Sequence, residues 1–110
     1  MRTTVSEARI TPRTATSGAD ADVAITLAAD EMQAHVLHQV QWGYLGTLDA
    51  TSAALTVTIN SVVVFTVNIT SNTGSLEFTS PIYGKKNQAM VITLVAGGTS
   101  VIGSLNAQTS

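Results

Sequence analysis

The sequence predicts an all-β protein, an antiparallel β-sandwich or jelly-roll-like fold of seven to eight short strands with an extended N-terminal arm. Three observations support this. The 110 residues include 17 Thr and 12 Val, β-branched types that favour the half-buried surface of a sheet. From residue 22 onward, apolar and polar residues alternate in short runs, which turn-forming clusters separate at intervals of roughly 10–13 residues. No segment keeps a helical period, so parallel strands with helical crossovers are not expected.

The first 21 residues are predicted to be the arm, and residues 22–110 the sandwich domain. The arm contains Pro12, Gly18 and a Thr/Ser/Ala run, and it shows no sustained period of 2 or 3.6. Such a segment is either a frayed terminus or an arm that orders on a neighbouring subunit. In both cases it adds little to the core, so its deletion is expected to leave the thermal midpoint of the domain nearly unchanged.

The first two strands of the domain are predicted from strict alternation. In the first, Val23, Ile25 and Leu27 share one face. Residues 28–34 then form a loop or a single helical turn. The clearest strand follows at residues 35–45. One of its faces takes Val36, His38, Val40, Trp42 and Tyr44, and the other takes Gln39, Gln41 and Gly43.

A hairpin is predicted next. In its first strand the inward positions are Leu55, Val57 and Ile59, and the pair Asn60-Ser61 forms a tight turn. In its second strand the inner face takes Val63, Phe65, Val67 and Ile69, with Val62 and Val64 on the opposite face. Apolar residues on both faces of this second strand predict that both faces are covered.

The last third of the chain is predicted to hold three more strands. Leu76 and Phe78 mark a short strand that ends before Pro81, and a polar loop at residues 84–88 holds both lysines. The final strands, at residues 89–95 and 100–107, are predicted to form a hairpin through the connection Ala96–Thr99.

Charge is scarce in this sequence and unevenly placed. Charged residues make up 11% of the chain, against about 25% in an ordinary soluble domain, and eight of the 12 lie within the first 31 residues. A surface so poor in charge predicts a homo-oligomer whose subunits cover one another. A net charge of −2 is not the basic surplus of a nucleic-acid binder, and no apolar run approaches the roughly 18 residues of a membrane helix. We expect neither nucleic acid nor membrane as a partner.

No constellation of residues in the sequence predicts a reaction. The chain has no cysteine, which excludes thiolate metal sites and a cysteine nucleophile. His35 and His38 lie three apart in one predicted strand and so point to opposite faces. Asp49 and Glu77, the candidate carboxylate pair, lie on or beside different strands with nothing to fix their separation. We expect a non-enzymatic protein with no catalytic residues, no metal site and no cofactor.

Two sets of residues are candidates for contacts with partners. The cations are predicted to bind a partner, since arginine makes bidentate contacts to carboxylates and a lysine pair can form salt bridges; they are Arg2, Arg9, Arg13, Lys85 and Lys86. The aromatic residues are predicted to lie in the core or in a subunit interface; they are Trp42, Tyr44, Phe65 and Phe78. For Trp42 and Tyr44, a stacking platform for carbohydrate is the alternative.

From residue 22 to residue 107 the chain resembles small β-sandwich proteins encoded among the head genes of tailed bacteriophages. Three stretches carry the resemblance: His35–Tyr44; Leu55–Val57 with Val64–Ile69; and Pro81–Gly84 with Ala89–Leu94, Ala96–Gly98 and Gly103–Asn106. The resemblance implies a capsid decoration or cement protein that binds the major capsid protein on the outer surface of the assembled head, often as a trimer, and stabilises it. It carries over no catalytic residues.

This resemblance also implies a location on the capsid surface of the virion, after assembly in the host cytoplasm. The alternative function is a tail- or fibre-associated β-sandwich module that binds host glycans, which would expose aromatic side chains along one loop edge. A stand-alone bacterial adhesin or binding module is a further alternative, and it would require secretion.

Overall fold

The computed structural model describes residues 11–48 and 53–110, and within them it has eight strands and no helix. The strands are β1 (Thr11–Ala19), β2 (Val23–Leu27), β3 (Val36–Leu45), β4 (Ala54–Ile59), β5 (Val62–Asn68), β6 (Thr73–Tyr83), β7 (Met90–Leu94) and β8 (Ile102–Thr109). All pairings between them are antiparallel. The all-β prediction is confirmed.

The strands form two four-stranded sheets in the order of a jelly roll. Sheet A has the order β1-β8-β3-β6, and sheet B has the order β2-β7-β4-β5. One long hairpin would pair β1 with β8, β2 with β7, β3 with β6 and β4 with β5. All four pairs are present, and successive pairs alternate between the two sheets. Folding a long hairpin back in this way produces a double-sheet sandwich. Its edge strands are β1 and β6 in sheet A, and β2 and β5 in sheet B.

The core lies between the sheets and is filled by alternate residues of each strand. The alternation predicted for β2 is observed, since Val23, Ile25 and Leu27 are buried while the residues between them are exposed. Leu55 and Val57 of β4 are buried as predicted. Burial of each such side chain stabilises the fold by about 1.5–3 kcal/mol.

The predicted tight turn between β4 and β5 is present. Asn60 has φ of 52° and Ser61 has φ of 68°, so both residues lie in the left-handed region. Two left-handed residues in a two-residue loop make a type I′ turn, whose twist matches that of the flanking strands. The turn sets Ile59 opposite Val62 and so determines the register of the hairpin.

The second half of the predicted N-terminal arm is a strand. β1 pairs with β8 from Thr11 opposite Thr109 to Ala19 opposite Ile102. Most β1 side chains are exposed, so no apolar period marks this strand in the sequence. The prediction that the segment lacks strand structure is wrong for β1, because backbone pairing rather than side-chain burial holds an edge strand in place. The first ten residues of the arm lie outside the described residues.

A β-bulge at His38 changes the predicted faces of β3. Leu37 and Gln39 lie opposite adjacent residues of β8, so His38 is one extra residue in the pairing. An extra residue moves the side chains beyond it to the opposite face. Leu37 therefore joins Val40 in the core, and the prediction that Val36 and His38 share the face of Val40 is wrong.

A second bulge lies near the start of β5. Val57 pairs with Phe65, and the next residue of β4, Thr58, pairs with Val63. Val64 is therefore the extra residue, and Val63 shares the outward face of Thr58. The prediction that Val63 lies on the inner face together with Phe65 is wrong for the same physical reason as at His38.

β6 continues through Pro81, where the sequence predicted that it ends. Proline cannot donate to a regular ladder and is therefore confined to edge strands and bulges. β6 meets both conditions, because it is the edge of sheet A and its residues 78–81 lie opposite the single residue His38. Pairing resumes at Ile82, so the missing N–H of Pro81 interrupts no regular pair.

The last two strands do not form the predicted hairpin. β7 belongs to sheet B and β8 to sheet A, so residues 95–101 carry the chain from one sheet to the other. Within this connection Gly98 has φ of 128° and Ser100 has φ of 63°, and the Val101 N–H donates to the Gly98 carbonyl at 3.1 Å. A glycine pair fits a hairpin and this crossover equally well, because sheet membership depends on distant partners.

Candidate interaction surfaces

The outer face of sheet B carries no charged residue. On the side that points away from the core, its strands align two rows, Ala24–Thr93–Thr56–Thr66 and Thr26–Val91–Thr58–Val63. The hydroxyl oxygens of Thr56 and Thr66 lie 3.3 Å apart across the strands. We call these eight residues the threonine face. A solvent-facing surface normally carries charges of both signs, whereas this one presents hydroxyl and methyl groups.

An apolar groove opens between the two sheets where β5 begins. It has a volume of about 370 Å³, and its lining consists of Ile59, Asn60, Val62, Val64, Tyr83, Lys85 and Gln88. Val62 is 62% exposed and Tyr83 is 67% exposed. We call this groove, with the lining just given, the valine–tyrosine groove. Both faces of the start of β5 were predicted to be covered, but the described part of this chain leaves these side chains open to solvent.

The structure separates the predicted cations. Lys85 lines the valine–tyrosine groove, and Lys86 beside it is exposed. Arg13 lies on β1, at the opposite edge of sheet A, where its Nε donates to the Thr109 hydroxyl at 3.5 Å. Three strand spacings, about 14 Å, separate these two edges. Arg2 and Arg9 lie outside the described residues.

Phe65 and Phe78 pack against each other across the open edge of the sandwich. Phe65 lies on β5 of sheet B and Phe78 on β6 of sheet A, with ring centroids 5.3 Å apart and planes at 89°. This edge-to-face geometry stabilises an aromatic pair by about 0.5–1.5 kcal/mol beyond the area that it buries. Both rings are half-buried against the core.

Trp42 packs on the inner side of sheet A and not on an exposed edge. It lies opposite Gly74 of β6, and a Cβ at Gly74 would come within 2.8 Å of its Cε2. Its indole N–H donates to the Ser71 carbonyl at 3.4 Å. The side chain is half-buried against the core.

Tyr44 ties sheet A to the crossover between β7 and β8. The side chain is buried, and its hydroxyl donates to the Val95 carbonyl at 2.7 Å. A Cβ at Gly97 would come within 2.6 Å of the Tyr44 ring, so the ring rests directly on that glycine. Burial, with a smaller contribution from the Asp22 carboxylate, raises the pKa of Tyr44 to about 12. The role is therefore structural packing.

The two histidines have separate partners and do not converge. His35 Nε2 lies 2.6 Å from the Ala28 carbonyl, and His38 Nε2 lies 2.8 Å from the Ser110 hydroxyl. Among the hydrogen bonds of the described residues none joins His38 to a carboxylate, as a nucleophilic triad would require. Residues 11–48 and 53–110 also contain no group of three side chains that could hold a metal ion. Asp49 lies outside the described residues.

A second exposed apolar patch lies where β3 ends and β8 begins. Leu45 is 72% exposed and Ile102 is 41% exposed, and the two residues are paired across the strands. They border a shallow cavity of about 300 Å³, lined also by Thr16, Gly43, Tyr44, Gly103 and Ser104. We call the exposed surface of Leu45 and Ile102 the leucine–isoleucine patch. The sequence analysis did not predict this patch. A signal for it was present, because Leu45 is apolar and follows Tyr44 directly, so the two side chains point to opposite faces of the strand.

Comparisons with known proteins leave the function open. No family model and no curated protein matches the sequence. Among solved structures the chain is similar to a ruminal GH26 endo-β-1,4-mannanase, with 13% identity and a TM-score of 0.43. The similarity covers 83% of this chain and 18% of the mannanase chain, and at this level it transfers no function. In the described ranges no helix is long and apolar enough to cross a membrane.

Proposed function

We propose that the chain is a structural protein of a tailed-bacteriophage virion, a decoration or cement protein that binds the major capsid protein on the outer surface of the assembled head. It acts as a homo-oligomer, a trimer as the resemblance to decoration proteins implies, and stabilises the head without catalysing a reaction. The threonine face is the observation that carries this proposal, because a four-stranded sheet without charge is suited to being covered.

The chemistry of the threonine face suits a broad contact between proteins. The centres of protein interfaces are depleted in charged residues, since a charge removed from water costs several kcal/mol unless it is paired. Hydroxyl groups such as those of Thr56 and Thr66 bind polar partners at a smaller cost, and the methyl groups beside them bury apolar area. A subunit docked here loses no charge hydration on this side of the contact.

The rigidity of the sandwich also suits a protein that reinforces a shell. The rings of Phe65 and Phe78 join the two sheets at one edge, and the Tyr44 hydroxyl joins them near one end. A rigid module that contacts several capsid subunits at once gains avidity of about 10² to 10⁴ over a single contact. Modest individual contacts are then sufficient.

Co-sedimentation with heads that lack the protein tests the proposal. The variant Thr56→Lys with Thr93→Lys places two charges in the centre of the threonine face. The control Ser75→Lys places one charge on the exposed outer face of sheet A. We expect the wild type and the control to bind, and the double variant to bind at least about tenfold more weakly. Absence of wild-type binding contradicts the function, and equal binding by the double variant contradicts the assignment of this face.

The alternative, a tail- or fibre-associated module that binds host glycans, is favoured by one observation on sheet A. Gln39 lies opposite Gln108, and Gln41 lies opposite Asn106, so four amides cluster on its outer face. Amides are suited to hydrogen bonds with sugar hydroxyls. Binding to an array of host-surface glycans that Gln41→Ala with Asn106→Ala abolishes would favour this function, and absence of any glycan signal would leave the decoration protein as the proposal.

A further inference from the structure

A shallow cavity lies on the outer face of sheet A beside the bulge at His38. It has a volume of about 430 Å³, and its lining consists of His38, Gln39, Glu77, Phe78 and Gln108. At this point β3 has one extra residue, and its pairing with both β6 and β8 shifts register. Bulges are over-represented next to functional sites, where they redirect side chains. The cavity thus combines a break in the ladder with a lining of mainly polar residues.

Three of these polar side chains form one row across the strands. Gln39 pairs with Gln108 of β8 on one side and with Glu77 of β6 on the other. The chain neighbours Val40 and Ala107 are buried in the core, so the row points outward. Neighbouring strands lie about 4.8 Å apart, which gives the row a length of about 10 Å. A ligand that lies across the strands can therefore contact all three side chains.

The polar groups of this row are not used within the described part of the protein. Among the hydrogen bonds that join described residues, none involves the side chain of Gln39, Gln108 or Glu77. On the threonine face, in contrast, the hydroxyls of Thr56 and Thr66 bind each other. Each amide offers two donors and a carbonyl acceptor, and the carboxylate accepts through two oxygens. The row therefore presents donors and acceptors side by side.

The chemistry of the cavity favours a neutral, polyhydroxylated ligand. Its described lining holds no lysine or arginine, the residues that recognise phosphates and other anions. A cation would bind only weakly, because Glu77 is exposed and exposed ion pairs contribute little. An apolar ligand would bury the amides without hydrogen bonds, which is unfavourable. Sugar hydroxyls can donate to the carboxylate and accept from the amides, so a saccharide satisfies the whole row.

We propose that this cavity binds a neutral polysaccharide, whose hydroxyl groups form hydrogen bonds with Gln39, Glu77 and Gln108. The inference goes beyond the proposed function and is compatible with it. Sheets A and B form the two sides of the sandwich, so a chain whose threonine face lies on the head directs the cavity away from it. A head that carries many copies would gain avidity of about 10² to 10⁴ over a single weak contact.

Affinity electrophoresis in native gels tests the inference. The gels contain dextran, a β-1,3-glucan, a galactomannan or, as the charged counterpart, polygalacturonate, and gels without polymer give the reference mobility of each protein. We expect at least one neutral polymer to retard the wild type. Gln39→Ala with Gln108→Ala should weaken this binding at least about tenfold, since two hydrogen-bonding amides are lost. The control Thr56→Lys with Thr93→Lys, on the opposite side of the sandwich, should bind as the wild type does.

Three results would overturn the inference. They are a wild type that no neutral polymer retards, retardation by polygalacturonate alone, and unchanged binding in the amide variant. Circular dichroism and the thermal midpoint verify folding. If the amide variant does not fold, Glu77→Ala, at an exposed position, replaces it with the same expected loss.

The outcome separates this inference from the proposed function. Binding to heads without binding to any neutral polysaccharide would contradict the inference alone. Binding to a polysaccharide without binding to heads would contradict the decoration role alone and would favour the tail- or fibre-associated module.

Discussion

Tyr44 should make the stability of the protein fall with pH above about 10. Its hydroxyl, buried beneath the crossover, donates to the Val95 carbonyl at 2.7 Å. Burial and, to a lesser extent, the Asp22 carboxylate raise its pKa from 10.0 to about 12. An unfolded tyrosine loses its proton near the lower of these values, whereas the folded one keeps it up to the higher value. Between them the unfolded state binds fewer protons, so the free energy of unfolding decreases as pH rises.

The magnitude follows from the distance between the two pKa values. The stabilisation by the protonated hydroxyl is fully present below pH 10 and is lost as pH rises through about 12. A difference of this size corresponds to about 3 kcal/mol. In a domain of about 100 residues, 1 kcal/mol shifts the thermal midpoint by about 4 °C or more. The midpoint should therefore fall by roughly 10 °C across this range.

Urea unfolding of the wild type and two tyrosine variants from pH 8 to pH 12 measures this effect. Tyr44→Phe should be less stable at pH 8 by about 1–2 kcal/mol, because the Val95 carbonyl loses its donor, and it should lack this component of the pH dependence. Tyr83→Phe, at an exposed tyrosine, should keep the wild-type dependence. An equal decrease in stability for the wild type and Tyr44→Phe would refute the reasoning.

Three other substitutions or deletions have defined outcomes. Gly74→Ala should lower the thermal midpoint by several degrees, because its Cβ would press against the ring of Trp42; an unchanged midpoint in calorimetry would contradict the packing described. Deletion of residues 1–19 should lower the midpoint as well, since β8 loses its partner β1, whereas an unchanged midpoint would restore the original expectation of a free arm. Ser61→Gly should raise the free energy of unfolding by up to about 1 kcal/mol, because φ of 68° strains a residue with a Cβ; a decrease in urea titration would argue against the type I′ turn.

Much of the fold could be predicted from local alternation because the inward positions of a strand repeat every second residue. The buried residues Val23 and Ile25, the strand at Leu55 and the turn at Asn60-Ser61 follow from this rule and from turn chemistry. The rule fails at a bulge. His38 looks like any other residue of its strand, yet it reverses the phase and brings Leu37 into the core.

Features that depend on distant partners could not be predicted in this way. β1 is held by pairing with β8 and buries little, so it has no apolar signature. The glycines near Gly98 mark a turn without indicating which sheet follows. The inward positions of four aromatic residues could be predicted, because each lies in register with the apolar residues of its own strand; they are Trp42, Tyr44, Phe65 and Phe78. The threonine face and the leucine–isoleucine patch were not, because strand order decides which residues become neighbours.

The thermal disruption of phage heads with and without this protein tests the central proposal most directly. Heads purified without the protein are scanned by calorimetry before and after addition of purified full-length chain to saturation. A protein that binds the assembled head but not its released subunits raises the disruption temperature by mass action. We expect a saturable increase that the variant Thr56→Lys with Thr93→Lys reduces and Ser75→Lys does not. An unchanged disruption temperature, with no chain bound to the heads, would contradict a role as a decoration protein.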